Sequence, residues 1–344
     1  MEPSLEVSTL KTLAHDLGFA ACGVARAERI GPAHAAAFLR WIESGRQAGM
    51  HYMENHADKR LDPRLLLEGA RSVVCVALNY YPGQRLSAGQ WQFAYYAYGH
   101  DYHDVMRQRL GLLATALGLA SPAAEEGRGE GYKLCCDTVP MLDRYWAWRA
   151  GLGWIGRNKN LILPHQGSYF FLGEILTTRT FDHYDEPLPD HCGTCHQCLD
   201  ACPTHALTAC ADGSTTLDAR RCLSYLTIEH RGPLPSGTSS LMGDCIYGCD
   251  RCQQACPHNR FARPTDVGEF RPTDDFLHMQ PSDWQDLTPE RYRSLFRGSA
   301  VKRAKFEGLR RNIDAVAAES SDDGTPFQKR LVTAVAESDD YPKT

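Results

Sequence analysis

The sequence predicts three parts in order: an N-terminal α/β or α+β domain, a cysteine-rich module and a helical C-terminal segment. Three observations predict this order. Apolar helical spacing alternates with β-rich runs early in the chain, ten of the fourteen cysteines lie between Cys192 and Cys256, and basic residues recur at helical spacing after Pro289. We place the three parts at residues 1–185, 186–262 and 263–335.

The N-terminal part begins with an amphipathic helix and continues into buried strands. Apolar residues between Val7 and Leu17 recur at the spacing of one helix face. The runs SVVCVAL at 72–78 and SYFFLGEILTT at 168–178 are rich in β-branched and aromatic residues, which favours strands. Between them, GLGWIGRNKN at 151–160 predicts a loop. Its match to GxGxxG is read as chance, because it follows the helix-like YWAWRA rather than a strand.

Bulk composition limits the class of protein. A chain of 344 residues with 43% hydrophobic residues can bury more than one core. The formal net charge of -5 means that any nucleic-acid contact needs a local basic patch. The sequence shows no signal-peptide pattern and no apolar run of the roughly 18 residues that span a membrane. We therefore expect a soluble, cytoplasmic enzyme, in which clustered cysteines bind metal rather than form disulfides.

The cysteine-rich module carries two halves of a bacterial ferredoxin motif. One run is C-x2-C-x2-C-x3-C-P from Cys192 to Pro203, and the other is C-x2-C-x3-C-P from Cys249 to Pro257. In such pairs the cysteine before proline ligates the opposite cluster. One 4Fe-4S cluster is therefore predicted on Cys192, Cys195, Cys198 and Cys256, and a second on Cys202, Cys249, Cys252 and one further thiolate.

Spacing leaves two candidates for that further thiolate. Cys245 precedes Cys249 by four positions rather than the usual three, and Cys222 lies further away in RRCLSYLTIEH. Zinc is the alternative metal, but a three-plus-one run followed by proline, found twice, is typical of iron–sulfur clusters. The other cysteines are predicted to pack as small side chains: Cys22, Cys75, Cys135, Cys136 and Cys210.

Two clusters form an electron path, and an electron path ends at an acceptor. A ferredoxin that only carries electrons is one hypothesis. About 190 residues precede the first cluster cysteine, however, far more than a carrier requires. We therefore favour an enzyme with a second cofactor or a substrate that is hard to reduce.

Seven sequence blocks between Lys59 and Asn312 together resemble the epoxyqueuosine reductase family. Besides the first cysteine run, they are KRLDPRLLLEGARSVV, YGHDYHDVMRQRL, DTVPMLDRYWAWRAGLGWIGRN, GSYFFLGEILTT, RRCLSYLTIEHRG and IYGCDRCQQACPHN. The resemblance implies a cobalamin-binding N-terminal domain similar to reductive dehalogenases, a ferredoxin-like module and a helical, HEAT-like, tRNA-facing C-terminal segment. It also implies removal of the epoxide oxygen of epoxyqueuosine at the tRNA wobble position, which gives queuosine.

The same resemblance implies a proton donor, Asp137, at the start of the DTVP block. A carboxyl group serves this role near neutral pH only when it is protonated, and we expect burial against Trp146, Trp148 or the corrin to raise its pKa. Without the resemblance, a helix N-cap would be the better interpretation of Asp137. Asp143 stands where the family usually has glutamate.

The remaining ligands are also implied by the matching blocks. Cys222 becomes the fourth ligand of the second cluster, and Cys245 is not a ligand. The implied cobalamin contacts are Arg60, His100, Tyr102, Asp137, Asn160, Ser168 and Ser224. Because no DxHxxG segment is present to supply an axial histidine, we expect base-off cobalamin.

The implied partners are tRNA and a low-potential electron donor that the sequence does not identify; we expect a monomer. The predicted tRNA contacts are Arg297, Lys302, Arg303, Lys305, Arg310 and Arg311. Their alternative interpretation is a solvated helix face. Two rival hypotheses remain for the whole protein, a corrinoid reductive dehalogenase, whose export signal is missing here, and the two-cluster electron carrier.

Overall fold

The computed structural model describes residues 4–119 and 131–320, so positions 321–335 of the predicted C-terminal segment lie outside the described residues. The strands are β1 Ala21–Arg26, β2 Ser72–Asn79, β3 Gln92–Phe93, β4 Tyr132–Cys135, β5 Trp154–Ile155, β6 Leu161–Ile162, β7 Phe170–Thr177, β8 Leu207–Ala209, β9 Thr215–Leu217 and β10 Cys245–Tyr247. The helices are α1 Val7–Asp16, α2 Pro32–Glu43, α3 Ala57–Leu61, α4 Tyr102–Ala116, α5 Asp143–Arg149, α6 Gln197–Asp200, α7 Leu223–Ile228, α8 Thr238–Met242, α9 Arg251–Gln254, α10 Asp274–Leu277, α11 Pro281–Gln285, α12 Pro289–Leu295 and α13 Lys305–Ser320. Short 3-10 turns lie at His51–Met53, Pro63–Leu65, Tyr95–Ala97, Pro257–Phe261, Gly268–Phe270 and Ala300–Ala304.

A four-stranded sheet of order β1-β2-β7-β4 forms the centre of the N-terminal part. Every neighbouring pair in it is antiparallel. The α+β form of the prediction therefore holds, and the α/β form is wrong. Helices and strands do alternate along the chain, but antiparallel pairing does not require the helical crossover that parallel strands need. Strand β2 pairs on both edges and is buried on both faces, which explains its almost wholly apolar sequence.

Helices cover both faces of this sheet. On one face α1 and α4 bury residues such as Leu10 and Met106 against Val74 and Ile175. On the other face α5 buries Trp146 against the opposite side chains of the same strands. Successive side chains of β7 point alternately into these two cores, so every second residue of the strand faces α5.

A third core joins residues that the predicted boundaries separate. Phe93 of β3 packs with Tyr247 of β10 and Trp284 of α11, and α13 contributes Leu309 to the same core. Strand β3 pairs in parallel with β10. The apolar cores therefore extend across residues 185 and 262, although the domain boundaries themselves stay predictions.

The glycine-rich segment at 151–160 is a small hairpin rather than the predicted loop. Strand β5 lies within it and pairs with β6. A Cβ atom on Gly153 would lie 2.2 Å from the carbonyl oxygen of Ile162, so the close approach of the two strands requires glycine there. Across residues 4–119 and 131–320, no helix has both the length and the apolar character needed to cross a membrane.

Candidate active site

An open cavity of about 440 Å³ lies where the sheet, the hairpin and the cysteine-rich module meet. Tyr102 of α4 and Phe171 of β7 line one wall, and their rings stack with centroids 4.2 Å apart. The hairpin contributes Asn160, and the cysteine-rich module forms the opposite wall. Substrate-sized cavities of this kind, with apolar walls and a few polar groups, are the usual places for a ligand.

The eight predicted cluster cysteines fall into two groups of four. The cavity is lined by Cys202, Cys222, Cys249 and Cys252. A separate, smaller pocket is lined by Cys192, Cys195, Cys198 and Cys256. These are the two sets expected from the crossed ferredoxin pattern, and four thiols around one pocket are the donor set of a 4Fe-4S cluster. Among the described residues, no three His, Cys, Asp or Glu side chains surround a single-ion site.

The structure separates the two candidates for the eighth ligand. Cys222 lines the cavity with the other three thiols, whereas Cys245 is not among the residues that line it. The thiol of Cys245 lies beside Cys249 and donates to Asp244 Oδ1 over 3.7 Å. In the same group the backbone N–H of Ala206 donates to Cys202 Sγ over 3.2 Å, a type of bond that tunes cluster potential.

Asp137 reaches into the cavity from a strained backbone. Its φ of 56° lies in the left-handed region that non-glycine residues rarely adopt. Tyr102 Oη donates to Asp137 Oδ2 over 2.5 Å, and His103 Nε2 lies 3.4 Å from the same oxygen. Helix α5 has Leu142 as its N-cap, so the alternative interpretation of Asp137 as a cap is wrong. The carboxylate is instead held at the cavity by two α4 side chains.

The expected protonation of Asp137 is wrong for the protein alone. Burial raises the pKa of this carboxyl, but hydrogen bonds from His103 and Tyr102 outweigh it and bring the pKa below its usual value. Trp146 and Trp148 pack with Tyr145 rather than line the cavity. The desolvation expected from the two indoles is therefore missing at this carboxyl.

The neighbouring imidazole carries the proton instead. Burial lowers the pKa of His103, but its bonds to Asp101 and Asp137 raise it to about 9. Asp101 Oδ1 lies 2.7 Å from His103 Nδ1, and Lys302 Nζ lies 2.7 Å from Asp101 Oδ2. At neutral pH the site thus holds an imidazolium between two carboxylates.

A second pair of carboxyl groups lies beside the cavity, and the sequence analysis missed one of them. Asp143, at the start of α5, lines the cavity, and Glu174 of β7 lies fully buried behind it. Burial, followed by the charge of Asp137, raises the pKa of Asp143 to about 6. Burial and then Asp143 raise the pKa of Glu174 well above its usual value. A lone glutamate within the apolar run FFLGEILTT was the available signal.

Comparison with known proteins identifies the family. The model of the family described as epoxyqueuosine reductase QueG matches residues 60–138, and that of a 4Fe-4S double cluster binding domain matches residues 191–259. A curated epoxyqueuosine reductase from Cellulophaga algicola is 40% identical over 305 residues, covering 89% of this chain and 96% of the relative. One from Leadbetterella byssophila is 42% identical over 305 residues, covering 88% and 96%. This chain belongs to the epoxyqueuosine reductase family.

A solved structure extends the match to three dimensions. The crystal structure of an epoxyqueuosine reductase with a tRNA-Tyr epoxyqueuosine-modified stem loop aligns with a TM-score of 0.80 and 29% identity, covering 92% of this chain and 82% of that one. The family predicted from the sequence blocks and the two-cluster module are both confirmed. The HEAT-like character of the C-terminal segment and the likeness to reductive dehalogenases stay predictions.

The family's implied cobalamin contacts divide into two groups. Five of them line the cavity: Tyr102, Asp137, Asn160, Ser168 and Ser224. Arg60 is buried and donates to the carbonyls of Met141 and Tyr52, and His100 is exposed just before α4. Neither is among the lining residues. Their contact with cobalamin stays a prediction.

The basic residues predicted to face tRNA differ in the contacts that they make within the chain. Arg303 donates twice to Glu229, and Arg310 pairs with Asp314. Arg311 is half-buried and donates to three carbonyls, those of Leu226, His230 and Gly232. Exposed side chains remain at Arg297 and Lys305.

Proposed function

We propose that this protein converts epoxyqueuosine in tRNA to queuosine, using two 4Fe-4S clusters and cobalamin. One observation carries the proposal: Asp137, which contacts the protonated His103, and four cluster thiols line the same cavity. Asp137 lies on the α4 side, and Cys202, Cys222, Cys249 and Cys252 lie opposite. A substrate between them meets protons from one wall and electrons from the other.

Reduction of an epoxide requires both protons and electrons. Removal of an epoxide oxygen breaks two C–O bonds, forms one C=C bond and releases the oxygen as water, which consumes two electrons and two protons. A 4Fe-4S cluster passes one electron at a time, so two clusters in series supply the pair in succession. Asn158 lines both cysteine pockets and donates to the carbonyl of Cys252, which places the two cluster sites next to each other.

The cavity fits cobalamin in its chemistry. Apolar side chains such as Phe170 and Leu172 offer a surface for a macrocycle, and the amide and hydroxyl groups of Asn160 and Ser224 suit its amide arms. When bound, cobalamin supplies a low-valent metal that delivers electrons to the substrate. A macrocycle held against these side chains would exclude water from Asp137, and that desolvation would raise the pKa of the carboxyl.

Three residues of the chain hold and transfer the first proton. Tyr102 and His103 hold Asp137 at the cavity wall, and His103 keeps a proton at neutral pH. Once the bound substrate desolvates Asp137, transfer from the imidazolium neutralises both groups and leaves Asp137 as the acid that faces the epoxide. Asp137, the donor implied by the family resemblance, thus receives its proton from His103.

The substrate class rests on the relatives. The aligned epoxyqueuosine reductase was solved with a modified tRNA stem loop. The exposed Arg297 and Lys305 extend the basic surface around Lys302, which suits phosphate despite the net charge of -5. We place the enzyme in the cytoplasm as a monomer that takes electrons from a low-potential donor.

The test is turnover by anaerobically reconstituted protein. With both clusters, cobalamin and a chemical reductant, it should convert epoxyqueuosine in an anticodon stem loop to queuosine, measured by mass spectrometry of the nucleosides. A two-cluster carrier would take up iron but no cobalamin. A reductive dehalogenase would release halide from halogenated phenols and leave the nucleoside unchanged. Unchanged nucleoside with both cofactors loaded refutes the proposal.

A further inference from the structure

Asp143 and Glu174 form a buried acid pair that the first proton transfer does not use. Glu174 is 0% exposed in the middle of β7, on the face covered by α5. Asp143 stands in front of it at the start of α5 and lines the cavity. The pair therefore connects the core of the sheet to the reaction site.

The oxygens of the pair lack outside partners. Within residues 4–119 and 131–320, no hydrogen-bond donor reaches Asp143 Oδ1, Glu174 Oε1 or Glu174 Oε2. The two side chains are close enough to bond to each other, and two carboxyl groups form that bond only when one of them holds a proton. A shared proton is thus required, because two adjacent buried carboxylates cannot both be charged.

The surroundings keep that proton in place. The titratable and charged groups that face the pair are Arg60, Cys75, Tyr102, Cys135, Cys136, Asp137 and Arg144. The three cysteines are buried thiols whose pKa burial raises, so they add no positive charge. Arg60 donates to backbone carbonyls and Arg144 to the carbonyl of Lys159, so neither forms an ion pair with the two acids.

A purely structural role explains the arrangement poorly. A buried glutamate that anchored a helix or a strand end would accept hydrogen bonds from backbone N–H groups. The oxygens of Glu174 accept none from the described residues. An apolar residue of similar size would pack in this core without the cost of burying unpartnered polar atoms.

We propose that Asp143 and Glu174 store the second proton of the reaction and deliver it through Asp143 into the cavity. This inference rests on the proposed function. Asp137 gives the first proton to the opening epoxide oxygen, and the acid pair gives the second, so that the oxygen leaves as water rather than hydroxide. Bound substrate covers the cavity and desolvates Asp143, so that both carboxyls then hold a proton. After Asp143 gives up its proton, the pair is a single anion that shares the proton of Glu174, and Asp143 regains its proton from solvent when the product leaves.

The test compares Glu174→Gln and Asp143→Asn with the unchanged holoenzyme. Both amides keep the shape of the side chain and cannot release a proton. We expect kcat to fall by at least about a hundred-fold in each, which is the lower end of the range of general acid catalysis, with KM unchanged. Asp143→Glu, which keeps an acid at the cavity wall, should retain most of kcat. Asp16→Asn, an exposed acid on α1, is the matched control and should change nothing.

A second readout does not depend on turnover. Infrared spectra of the holoenzyme at pH 7, with ¹³C-labelled glutamate, should show a protonated carboxyl band that Glu174→Gln removes. If the unchanged enzyme turns over and both amide variants keep its kcat, the inference is wrong and the proposed function stands. Absence of the protonated band also overturns the inference. If the unchanged, loaded enzyme fails to turn over, the proposed function itself fails, and the inference falls with it.

Discussion

His103 Nε2 lies 3.4 Å from Asp137 Oδ2, so the predicted acid of the site is a carboxylate beside an imidazolium. The imidazole is also bonded to Asp101, which Lys302 holds from the other side. Positive and negative charges alternate from Lys302 through Asp101 and His103 to Asp137, and each group stabilises the next. His103 therefore holds the proton that the reaction needs, and the neighbouring Asp137 delivers it.

Replacement of His103 tests this storage through pH dependence. The folded pKa of about 9 lies above the usual 6.5, so the pairing stabilises the fold fully below pH 6.5 and this stabilisation is lost as the pH rises through 9. His103→Gln should remove at most about 3 kcal/mol at pH 6 and little at pH 10. Thermal unfolding midpoints at the two pH values measure the difference. An equal loss at both would show that the imidazole is neutral.

Replacement of Asp137 tests proton delivery. Asp137→Asn should keep the cluster and cobalamin absorption spectra and lower turnover by at least about a hundred-fold, because the amide cannot donate a proton to the oxygen. Tyr102→Phe, which removes one hydrogen bond to Asp137 but leaves its carboxyl, is the milder comparison and should retain partial activity. Activity of Asp137→Asn equal to the unchanged enzyme would place the proton donor elsewhere.

Paired serine variants test the eighth cluster ligand. Cys222→Ser should lose about four of eight iron atoms on anaerobic reconstitution, because the second cluster lacks a thiolate. Cys245→Ser should keep all of them, since Cys245 is not among the residues that line the cavity. Iron and sulfide analysis with electron paramagnetic resonance measures both. The reverse pattern would assign Cys245 as the ligand.

The pH dependence of stability tests the buried acid pair. A carboxyl whose pKa is raised on folding binds more protons in the native state, so stability falls as the pH rises from about 4 through the folded pKa. Glu174→Gln should therefore be more stable than the unchanged protein at pH 9 and show a flatter profile. Anaerobic thermal melts between pH 5 and 9 provide the comparison. A steeper profile in the variant would mean that Glu174 is ionised in the fold.

The basic residues predicted to face tRNA are of two kinds, exposed residues that bind phosphate and a residue that stabilises the fold. Arg297→Ala and Lys305→Ala should weaken stem-loop binding and each lower the salt slope of the affinity by about one unit, because each neutralises a phosphate. Arg311→Ala should instead lower the thermal midpoint, since it leaves the carbonyls of Leu226, His230 and Gly232 without their donor. Fluorescence anisotropy over a salt series and thermal melts distinguish the two effects.

Local sequence patterns were sufficient to predict much of this protein. The cluster cysteines repeat at short fixed spacings, and a cluster imposes those spacings because its ligands come from tight turns. The buried strand at 72–78 and the first helix likewise follow from periodicity within a few residues. The family followed from blocks of contiguous sequence, and the relatives confirm it.

Contacts between distant residues could not be predicted in this way. Asp101 meets Lys302, and Asp143 meets Glu174, only because helices α4 and α5 pack where they do on an antiparallel sheet. Burial raises the pKa of Asp137, but contacts with His103 and Tyr102 outweigh it in the protein alone, and the sequence analysis did not foresee those contacts. Seven of the eight predicted cluster cysteines and the single elements therefore follow from local sequence patterns. The proton-holding groups of the site were decided by the tertiary structure, since a pKa responds to neighbours in space rather than along the chain.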